Sequence, residues 1–311
     1  MNKRINQLIF PSMFFIMISL IASPSITTVY KSIPSAYAQT NSAAIAISTL
    51  APNSIGTSNN NTVSNTTAIT TDGLLIKKDV RYFDSASGYL VYPSNTTTGD
   101  TNKKLPAVIM IHEWWGLNDN IRTMANTLAK QTGYVVLAVD LFKGQSTKDP
   151  NQAMQLDKIV TTNPQEAISN LQAAVKYVTS LPFVNSSKIA SIGWCFGGGQ
   201  SLQLSLHSEQ HPLFATILYY GAPLVNDKQE LSKIKWPVLG IFGDHDQSIP
   251  LAQINSFKSA LNSDGILNQI YIYKGLGHAF ANPSGANYAP QQTADAWEKT
   301  LAFLKKYGGN Q

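Results

Sequence analysis

Short apolar runs alternate with helix-like segments along residues 73–311, and this alternation constrains the fold more than any other feature of the chain. The apolar runs lie at 107–111, 134–139, 189–192, 215–219, 238–242 and 269–273. The segments with helical periodicity lie at 121–131, 165–179, 198–206, 251–261 and 293–306. Strands that alternate with crossover helices form a parallel sheet covered on both faces. The sequence therefore predicts an α/β fold.

Two apolar stretches, 76–83 and 89–92, precede this alternation and flank the sequence Ser-Ala-Ser-Gly. Glycine and serine between β-prone runs favour a tight turn, so we expect an antiparallel hairpin at the start of the sheet. No second linker interrupts residues 73–311, which we interpret as one domain.

The first 38 residues have the layout of a secretory signal peptide. Lys3 and Arg4 precede an apolar run at 8–22, and Ala36-Tyr37-Ala38 provides a small-residue cleavage site. We predict cleavage after Ala38 and a secreted or cell-surface protein, with no stable membrane span. The alternative is an uncleaved anchor, because the stretch between the apolar run and Ala38 is long for a signal peptide.

Residues 39–72 contain no charged side chain before Asp72 and are dominated by serine, threonine and asparagine. Such a segment buries too little apolar area to offset its chain entropy, so we predict a flexible tether. The formal charge of the whole chain is +5, but three of the positive charges lie in the predicted leader. With no basic stripe in the folded part, we predict no nucleic-acid partner.

The chain has one cysteine, Cys195, which excludes an intramolecular disulfide and a cysteine-based zinc cluster. His207 and His211 have the spacing of two metal ligands on a helix. No third ligand is evident, so we predict neither a metal site nor any other cofactor.

Cys195 lies at the centre of the sequence Gly-Trp-Cys-Phe-Gly-Gly at 193–198, directly after an apolar run and at the start of a helix. This is the glycine-x-nucleophile-x-glycine pattern of a sharp strand-to-helix turn, with cysteine in place of serine. The positive end of a helix dipole favours a thiolate, which is the reactive form of cysteine. We therefore predict that Cys195 is a nucleophile.

An acid and a histidine follow Cys195 in the order that this type of fold requires. Asp246 follows the run at 238–242, and His278 follows the next predicted strand. His278 would accept the proton of Cys195 and later return it to the leaving group, while Asp246 would orient the imidazole. Asp244 is the alternative acid, or else a residue that caps its own loop.

The sequence His-Glu-Trp-Trp-Gly at 112–116 follows the strand that normally supplies one oxyanion-hole donor. The backbone N–H groups of Trp114 and Phe196 are therefore the candidate donors to an oxyanion. A carboxylate beside two tryptophans needs a partner. Glu113 is either paired structurally, for example with Arg122, or an activator of Cys195.

Five segments together resemble the dienelactone hydrolase family of α/β-hydrolases, over residues 75–306. They are His-Glu-Trp-Trp-Gly-Leu-Asn at 112–118, Ala-Val-Asp-Leu-Phe at 138–142, Gly-Trp-Cys-Phe-Gly-Gly at 193–198, Gly-Asp-His-Asp-Gln-Ser-Ile-Pro at 243–250, and Gly-His-Ala-Phe at 277–280. The resemblance implies a mostly parallel central sheet with helices on both faces, and a carboxymethylenebutenolidase-like ester or lactone hydrolase. It also implies a family triad of Cys195, Asp246 and His278, an accessory carboxylate at Glu113, and oxyanion donors at Trp114 and Phe196.

The chain departs from the dienelactone-cleaving members of this family at two arginine positions that bind the substrate carboxylate. Gly144, with Lys143 beside it, and Asn282 stand at those positions. Without a guanidinium fork, recognition of an acidic lactone is in doubt. The candidate pocket residues are Trp115, Phe142, Lys143, Trp194 and Phe280.

We therefore expect an exported, monomeric, thiol-dependent hydrolase whose partner is a small ester or lactone. Because a fold alone does not establish an activity, two alternatives remain. One is a non-catalytic cell-surface binding module on a hydrolase scaffold, and the other is an acyltransferase or peptidase that uses the same triad.

Overall fold

The computed structural model describes residues 70–71, 74–97 and 104–309. Their strands form one nine-stranded sheet in the order β1-β2-β3-β5-β4-β6-β7-β8-β9. The strands are β1 (Thr70–Thr71), β2 (Leu75–Phe83), β3 (Ala86–Pro93), β4 (Leu105–Ile111), β5 (Val135–Val139), β6 (Val184–Trp194), β7 (Ala215–Tyr219), β8 (Val238–Gly243) and β9 (Asn268–Tyr273). The predicted α/β fold is confirmed.

The sheet is parallel from β5 through β4, β6, β7 and β8 to β9, and antiparallel from β1 through β2 and β3 to β5. Every residue of β4, β5, β7 and β8 is buried. Continuous burial is typical of parallel strands with helices on both faces. It also explains why these strands appear in the sequence as unbroken apolar runs.

The helices are α1 (Asp119–Thr132), α2 (Pro150–Thr162), α3 (Pro164–Ser180), α4 (Phe196–Leu206), α5 (Lys228–Leu231), α6 (Leu251–Ser263) and α7 (Pro290–Gly308). Local signals set several of their ends. Asn118 caps α1 by accepting a hydrogen bond from the Ile121 N–H, and Gly133 ends the same helix with a left-handed φ of 70°. Asp149 caps α2, whose first residue is Pro150.

Several elements differ from the predictions. The hairpin of β2 and β3 is present, but β3 begins at Ala86, three residues before the second apolar stretch, so the turn lies at Asp84 and Ser85. Helices α2 and α5 were not predicted. In α2 the exposed apolar residues Met154 and Ile159 obscure the helical spacing of the buried ones, and α5 has only four residues. Strand β1 lies inside the predicted tether and pairs with β2 at the edge of the sheet. Nothing in the sequence indicates this strand, because pairing through backbone hydrogen bonds needs no apolar pattern.

The predicted signal peptide and residues 39–69 of the predicted tether lie outside the described residues. None of the helices within the described ranges combines the length and apolarity that crossing a bilayer requires.

Candidate active site

Cys195 occupies the sharp turn between the central strand β6 and helix α4. Its φ of 53° and ψ of −121° lie outside the ordinary range for a residue with a side chain, so the turn is strained. The Cys195 N–H donates to the Tyr219 carbonyl at 3.0 Å, and the Cys195 carbonyl accepts from the N–H groups of Gly198 and Gly199. These backbone bonds fix the thiol at the carboxyl edge of the sheet.

The glycines on both sides of Cys195 are required by close backbone approach. A Cβ at Gly193 would lie 2.0 Å from the carbonyl oxygen of Gly197. A Cβ at Gly197 would lie 2.4 Å from the carbonyl oxygens of Ile111 and His112 at the end of β4. Only glycine fits at either position, so the turn can pack against β4 and bring the loop after that strand close to Cys195.

The structure brings together the three residues of the predicted triad. His278 Nε2 lies 3.1 Å from Cys195 Sγ, and His278 Nδ1 lies 2.8 Å from Asp246 Oδ2. The Asp246 side chain is fully buried, whereas about a quarter of the His278 side chain is exposed, at 26%. The arrangement is a continuous hydrogen-bonded chain from a carboxylate through an imidazole to a thiol.

The pKa of His278 reflects this chain. Burial lowers the pKa, but the hydrogen bonds to Asp246 and Cys195 and the charges of these two groups outweigh burial and raise it from 6.5 to about 10. His278 therefore carries a proton at neutral pH while it is held between the two partners. Such an imidazolium can donate to a leaving group.

Asp244, the alternative acid, does not contact His278. Its Oδ1 accepts a hydrogen bond of 2.6 Å from the Gly275 N–H, so it links the loop after β8 to the loop after β9. Asp246 instead uses its Oδ1 to accept from the N–H groups of Ser248 and Ile249 in its own loop. Of the two carboxylates, Asp246 is the one positioned to orient the histidine.

Glu113 is buried and hydrogen-bonded to Asn282, whose Nδ2 donates to Glu113 Oε2 at 2.5 Å. The suggested pairing of Glu113 with Arg122 is wrong, because Arg122 points to the outside and pairs with Asp79 at 2.6 Å. Burial raises the pKa of Glu113 from 4.5 to about 7, although the charge of His278 and the Asn282 hydrogen bond act in the opposite direction. Glu113 can thus exchange a proton near neutral pH.

The candidate oxyanion donors lie on two different segments. The Trp114 N–H belongs to the loop after β4, and the Phe196 N–H belongs to the first residue of α4. Among the described residues, neither N–H donates to another protein group in the hydrogen bonds observed. Both are therefore available to a bound molecule.

Two of the predicted pocket residues lie in the core instead. Trp194 is 2% exposed and packs against Tyr219, whose hydroxyl donates to the Ala296 carbonyl in α7. Phe280 is fully buried between Tyr220 and Tyr273. Their assignment to the pocket is corrected: aromatic residues next to the nucleophile and the histidine here cover the sheet.

Phe142 and Lys143 line a different cleft, together with Leu156, Ile159 and Glu166, and this cleft contains no triad residue. Lys143 Nζ pairs with a Glu166 carboxylate oxygen at 2.6 Å, so its charge is already matched. Trp115, the remaining candidate, is half-buried and packs against the ring of Trp114 at 4.8 Å.

Tyr220 is a site residue that the sequence analysis missed. It follows β7 with a φ of 36°, and its ring lies 5.2 Å from the His278 ring. Burial raises the pKa of Tyr220 well above its ordinary value, and the charges of Glu113 and Cys195 add to this effect. The sequence did offer one signal for Tyr220: it directly follows β7, the strand next to β6, at the edge of the sheet where Cys195 lies.

No group of three or more histidine, cysteine, aspartate or glutamate side chains that could hold a metal ion occurs within the described ranges. His207 Nδ1 bonds to the Gln203 carbonyl of its own helix, which satisfies that ring nitrogen locally.

The sheet order, the strained turn at Cys195 after a central strand and the later loops with Asp246 and His278 are those of an α/β-hydrolase. The model of the dienelactone hydrolase family matches residues 88–308, and the chain belongs to this family. The resemblance found in the sequence is thereby confirmed, and the protein is a hydrolase of that family.

Individual proteins are similar to this chain in sequence or in fold. A protein of Saccharolobus solfataricus with the name "Putative carboxymethylenebutenolidase" is 31% identical over 245 residues, which cover 66% of this chain and 90% of that protein. The solved dienelactone hydrolase-like promiscuous phosphotriesterase from metagenomic libraries is 23% identical, with a TM-score of 0.68 over 76% of this chain and all of its own. A structure named m3DLH is 25% identical, with a TM-score of 0.67 over 76% of this chain and 99% of its own.

Proposed function

We propose that the protein is a thiol-dependent hydrolase of small, uncharged esters or lactones, with Cys195 as nucleophile. The observation that carries this proposal is the hydrogen-bonded chain from Asp246 Oδ2 through His278 to Cys195 Sγ, with distances of 2.8 and 3.1 Å. In this geometry a histidine can take the thiol proton while the aspartate holds its other nitrogen.

The reaction follows from these contacts. Cys195 Sγ, whose proton is held on His278 Nε2 as the imidazolium, attacks the carbonyl carbon, and the carbonyl oxygen becomes an oxyanion held by the N–H groups of Trp114 and Phe196. The ester C–O bond then breaks, and His278 gives its proton to the leaving alkoxide. Water, deprotonated by His278, attacks the resulting thioester, and the C–S bond breaks to release the acid.

The preference for uncharged substrates follows from the charges around the site. Asp246 and Glu113 are buried carboxyl groups close to His278. The two positions at which the family's dienelactone-cleaving members carry arginines offer no free cation: Asn282 is bonded to Glu113, and Lys143 beside Gly144 is paired with Glu166. A substrate carboxylate would enter this site unpaired, which is costly.

We also propose that the enzyme is exported and acts as a monomer. Export is supported by the leader-like sequence of residues 1–38, with its basic start, apolar run and small-residue site. Action as a monomer is supported by the origin of Cys195, Asp246 and His278 in one chain. An exported enzyme would meet extracellular esters.

The experiment compares wild-type protein, freshly reduced, with Cys195→Ala on p-nitrophenyl acetate, a neutral lactone and a dienelactone. We expect wild-type turnover of the two neutral substrates, little turnover of the dienelactone, and a loss of about 10⁴-fold or more in the variant. Thermal melting of both proteins checks that the fold is retained. Unchanged activity of Cys195→Ala would reject the proposal, and preferred cleavage of the dienelactone would reject the substrate class.

Adding an alcohol or amine acceptor to the same assay separates hydrolysis from acyl transfer. We expect free acid as the main product. An ester or amide of the added acceptor as the main product would instead identify an acyltransferase, and inactivity toward every substrate would favour a binding module.

A further inference from the structure

His112 lies at the end of β4 and is completely buried, yet the reaction described above does not use it. Its Nδ1 lies 2.6 Å from the Glu113 carbonyl oxygen, and its Nε2 lies 3.1 Å from the Leu141 nitrogen. A carbonyl can only accept a hydrogen bond and a backbone N–H can only donate one. The two neighbours therefore fix His112 as the neutral tautomer with its proton on Nδ1.

The pKa of His112 agrees with the assignment of a neutral ring. Burial lowers the pKa of His112 below its ordinary value of 6.5, although the Glu113 carbonyl and the charge of Asp140 act in the opposite direction. A protonated ring would turn Nε2 into a donor that faces the Leu141 N–H.

The Glu113 carbonyl belongs to the same peptide group as the Trp114 N–H. This carbonyl accepts two hydrogen bonds, one from His112 Nδ1 at 2.6 Å and one from the Gly116 N–H at 3.2 Å. The peptide is trans, because the only cis bond in the described part of the chain is Ala222–Pro223. In a planar trans peptide the C=O and N–H point in opposite directions. A carbonyl held on one side therefore directs the Trp114 N–H to the other side.

Phe196, whose N–H is the second candidate donor, contacts His112 through its side chain. The imidazole ring stacks on the Phe196 ring with centroids 5.7 Å apart, and the edge of the Phe142 ring lies against it at 4.7 Å. One buried ring thus connects the peptide that carries the Trp114 N–H to the residue that carries the Phe196 N–H.

We propose that His112 is a positioning residue for the oxyanion hole: its Nδ1–H orients and polarises the Glu113–Trp114 peptide, which makes the Trp114 N–H a better donor to the oxyanion. Hydrogen bonds in a chain strengthen one another, because a donor on the carbonyl side increases the partial charge on the N–H side. The inference rests on the proposed function, since it needs a reaction that forms an oxyanion.

The test uses two nearly isosteric variants, His112→Asn and His112→Leu. Both remove the aromatic ring and the acceptor for the Leu141 N–H. Only the asparagine keeps an N–H donor near the position of Nδ1, so the difference between the variants isolates the hydrogen bond to the Glu113 carbonyl. Thermal melting of both proteins reports whether they fold.

Two rates are measured for each protein: acylation of Cys195 by p-nitrophenyl acetate, and alkylation of Cys195 by iodoacetamide. Alkylation displaces iodide at a saturated carbon and forms no oxyanion, so it reports the thiol and His278 without the oxyanion hole. We expect acylation of His112→Leu to be about 10- to 100-fold slower than that of His112→Asn, because loss of a full oxyanion donor costs about 10²- to 10³-fold. The alkylation rates of the two variants should agree within about twofold.

Equal acylation rates of the two variants would overturn the inference, and so would a parallel loss of alkylation, which would indicate a purely structural role. If wild-type protein shows no acylation of Cys195, the proposed function fails and this inference fails with it. Should His112→Leu not fold, His112→Gln replaces it, because its amide lies near the position of Nε2 and faces Leu141. The same difference from His112→Asn is then expected.

Discussion

Two loops at the carboxyl edge of the sheet each carry a buried carboxyl group, and the two groups differ in the number of hydrogen bonds that they accept. Asp246, after β8, is 3% exposed and accepts hydrogen bonds from the N–H groups of Ser248 and Ile249 and from His278. Glu113, after β4, is 5% exposed, and Asn282 is the one side-chain donor observed on it among the described residues. Burial is nearly equal, but the number of donors is not.

The difference in donors separates the roles of these groups. Three hydrogen bonds hold Asp246 in one orientation, which suits a residue that orients an imidazole. With fewer donors, burial dominates at Glu113 and raises its pKa to about 7. Two carboxyl groups in one site can thus serve as a fixed partner and as a proton-exchanging group.

The largest effect is expected from Asp246→Asn, which removes the charge from the fixed partner. We expect kcat for a neutral ester to fall by about 10²- to 10⁴-fold, because the imidazole is no longer oriented by a carboxylate and its positive charge is no longer stabilised. The pKa of His278 should fall from about 10, since Asp246 is one of the groups that raise it. Ester kinetics and an NMR titration of the histidine measure both. A His278 pKa that stays near 10 would show that Asp246 does not act in this way.

Glu113→Gln tests the other loop through the pH dependence of stability. The pKa of Glu113 is about 7 in the folded protein and 4.5 as its ordinary value, so the folded state binds the extra proton. Wild-type protein should therefore lose stability as pH rises from about 4.5 to about 7, whereas the variant does not titrate here and its Oε1 can still accept from Asn282. From pH 5 to pH 8, the advantage of the variant should grow by about 2 to 3 kcal/mol.

Denaturant unfolding at the two pH values measures this change, and Glu166→Gln is the matched control. Glu166 is half-buried, with a side chain that is 39% exposed and paired with Lys143, so the same substitution there should produce a much smaller pH-dependent difference. An equal response of the two variants would mean that burial of Glu113 does not govern its titration.

Asn282→Ala should increase the difference between the two loops, because it removes the side-chain donor to Glu113. Removal of the donor leaves Glu113 buried with fewer partners, so its pKa should rise above about 7. Leaving a buried acceptor without its donor costs about 1 to 3 kcal/mol. Denaturant unfolding as a function of pH reports both effects, and an unchanged pH dependence would show that Asn282 does not control Glu113.

The smallest effect is expected from Lys143→Ala, which lies outside both loops. Its charge is matched by Glu166 in the neighbouring cleft, and such exposed pairs contribute little. We expect kcat/KM for a neutral ester to change by less than about twofold. A large loss with an acidic lactone alone would instead place Lys143 at the substrate.

The parts of the molecule that were predictable carry strong local patterns. The buried parallel strands appear as unbroken apolar runs, and the nucleophile turn requires the glycines at 193 and 197 because a Cβ would meet backbone. The order of Cys195, Asp246 and His278 follows from the topology of the sheet. Each of these features is determined by residues close in sequence or by a fixed order of strands.

Contacts between distant segments were harder to predict from the sequence. Nothing in the sequence near Glu113 shows that Asn282, 169 residues away, is its partner. Lys143 pairs with Glu166 of helix α3, and Trp194 packs against Tyr219 of the neighbouring strand β7. These features depend on which face of the sheet a side chain reaches, which the pattern of apolar runs leaves open.

The backbone at Cys195 sets the proposed activity and the stability of the chain against each other. With a φ of 53°, this position would suit glycine best, so the residue proposed as nucleophile lies where any side chain is strained. Selection for a more stable chain alone would favour Cys195→Gly, which replaces the whole side chain by a hydrogen atom. The cysteine at this turn therefore costs stability, and the proposed nucleophilic role accounts for that cost.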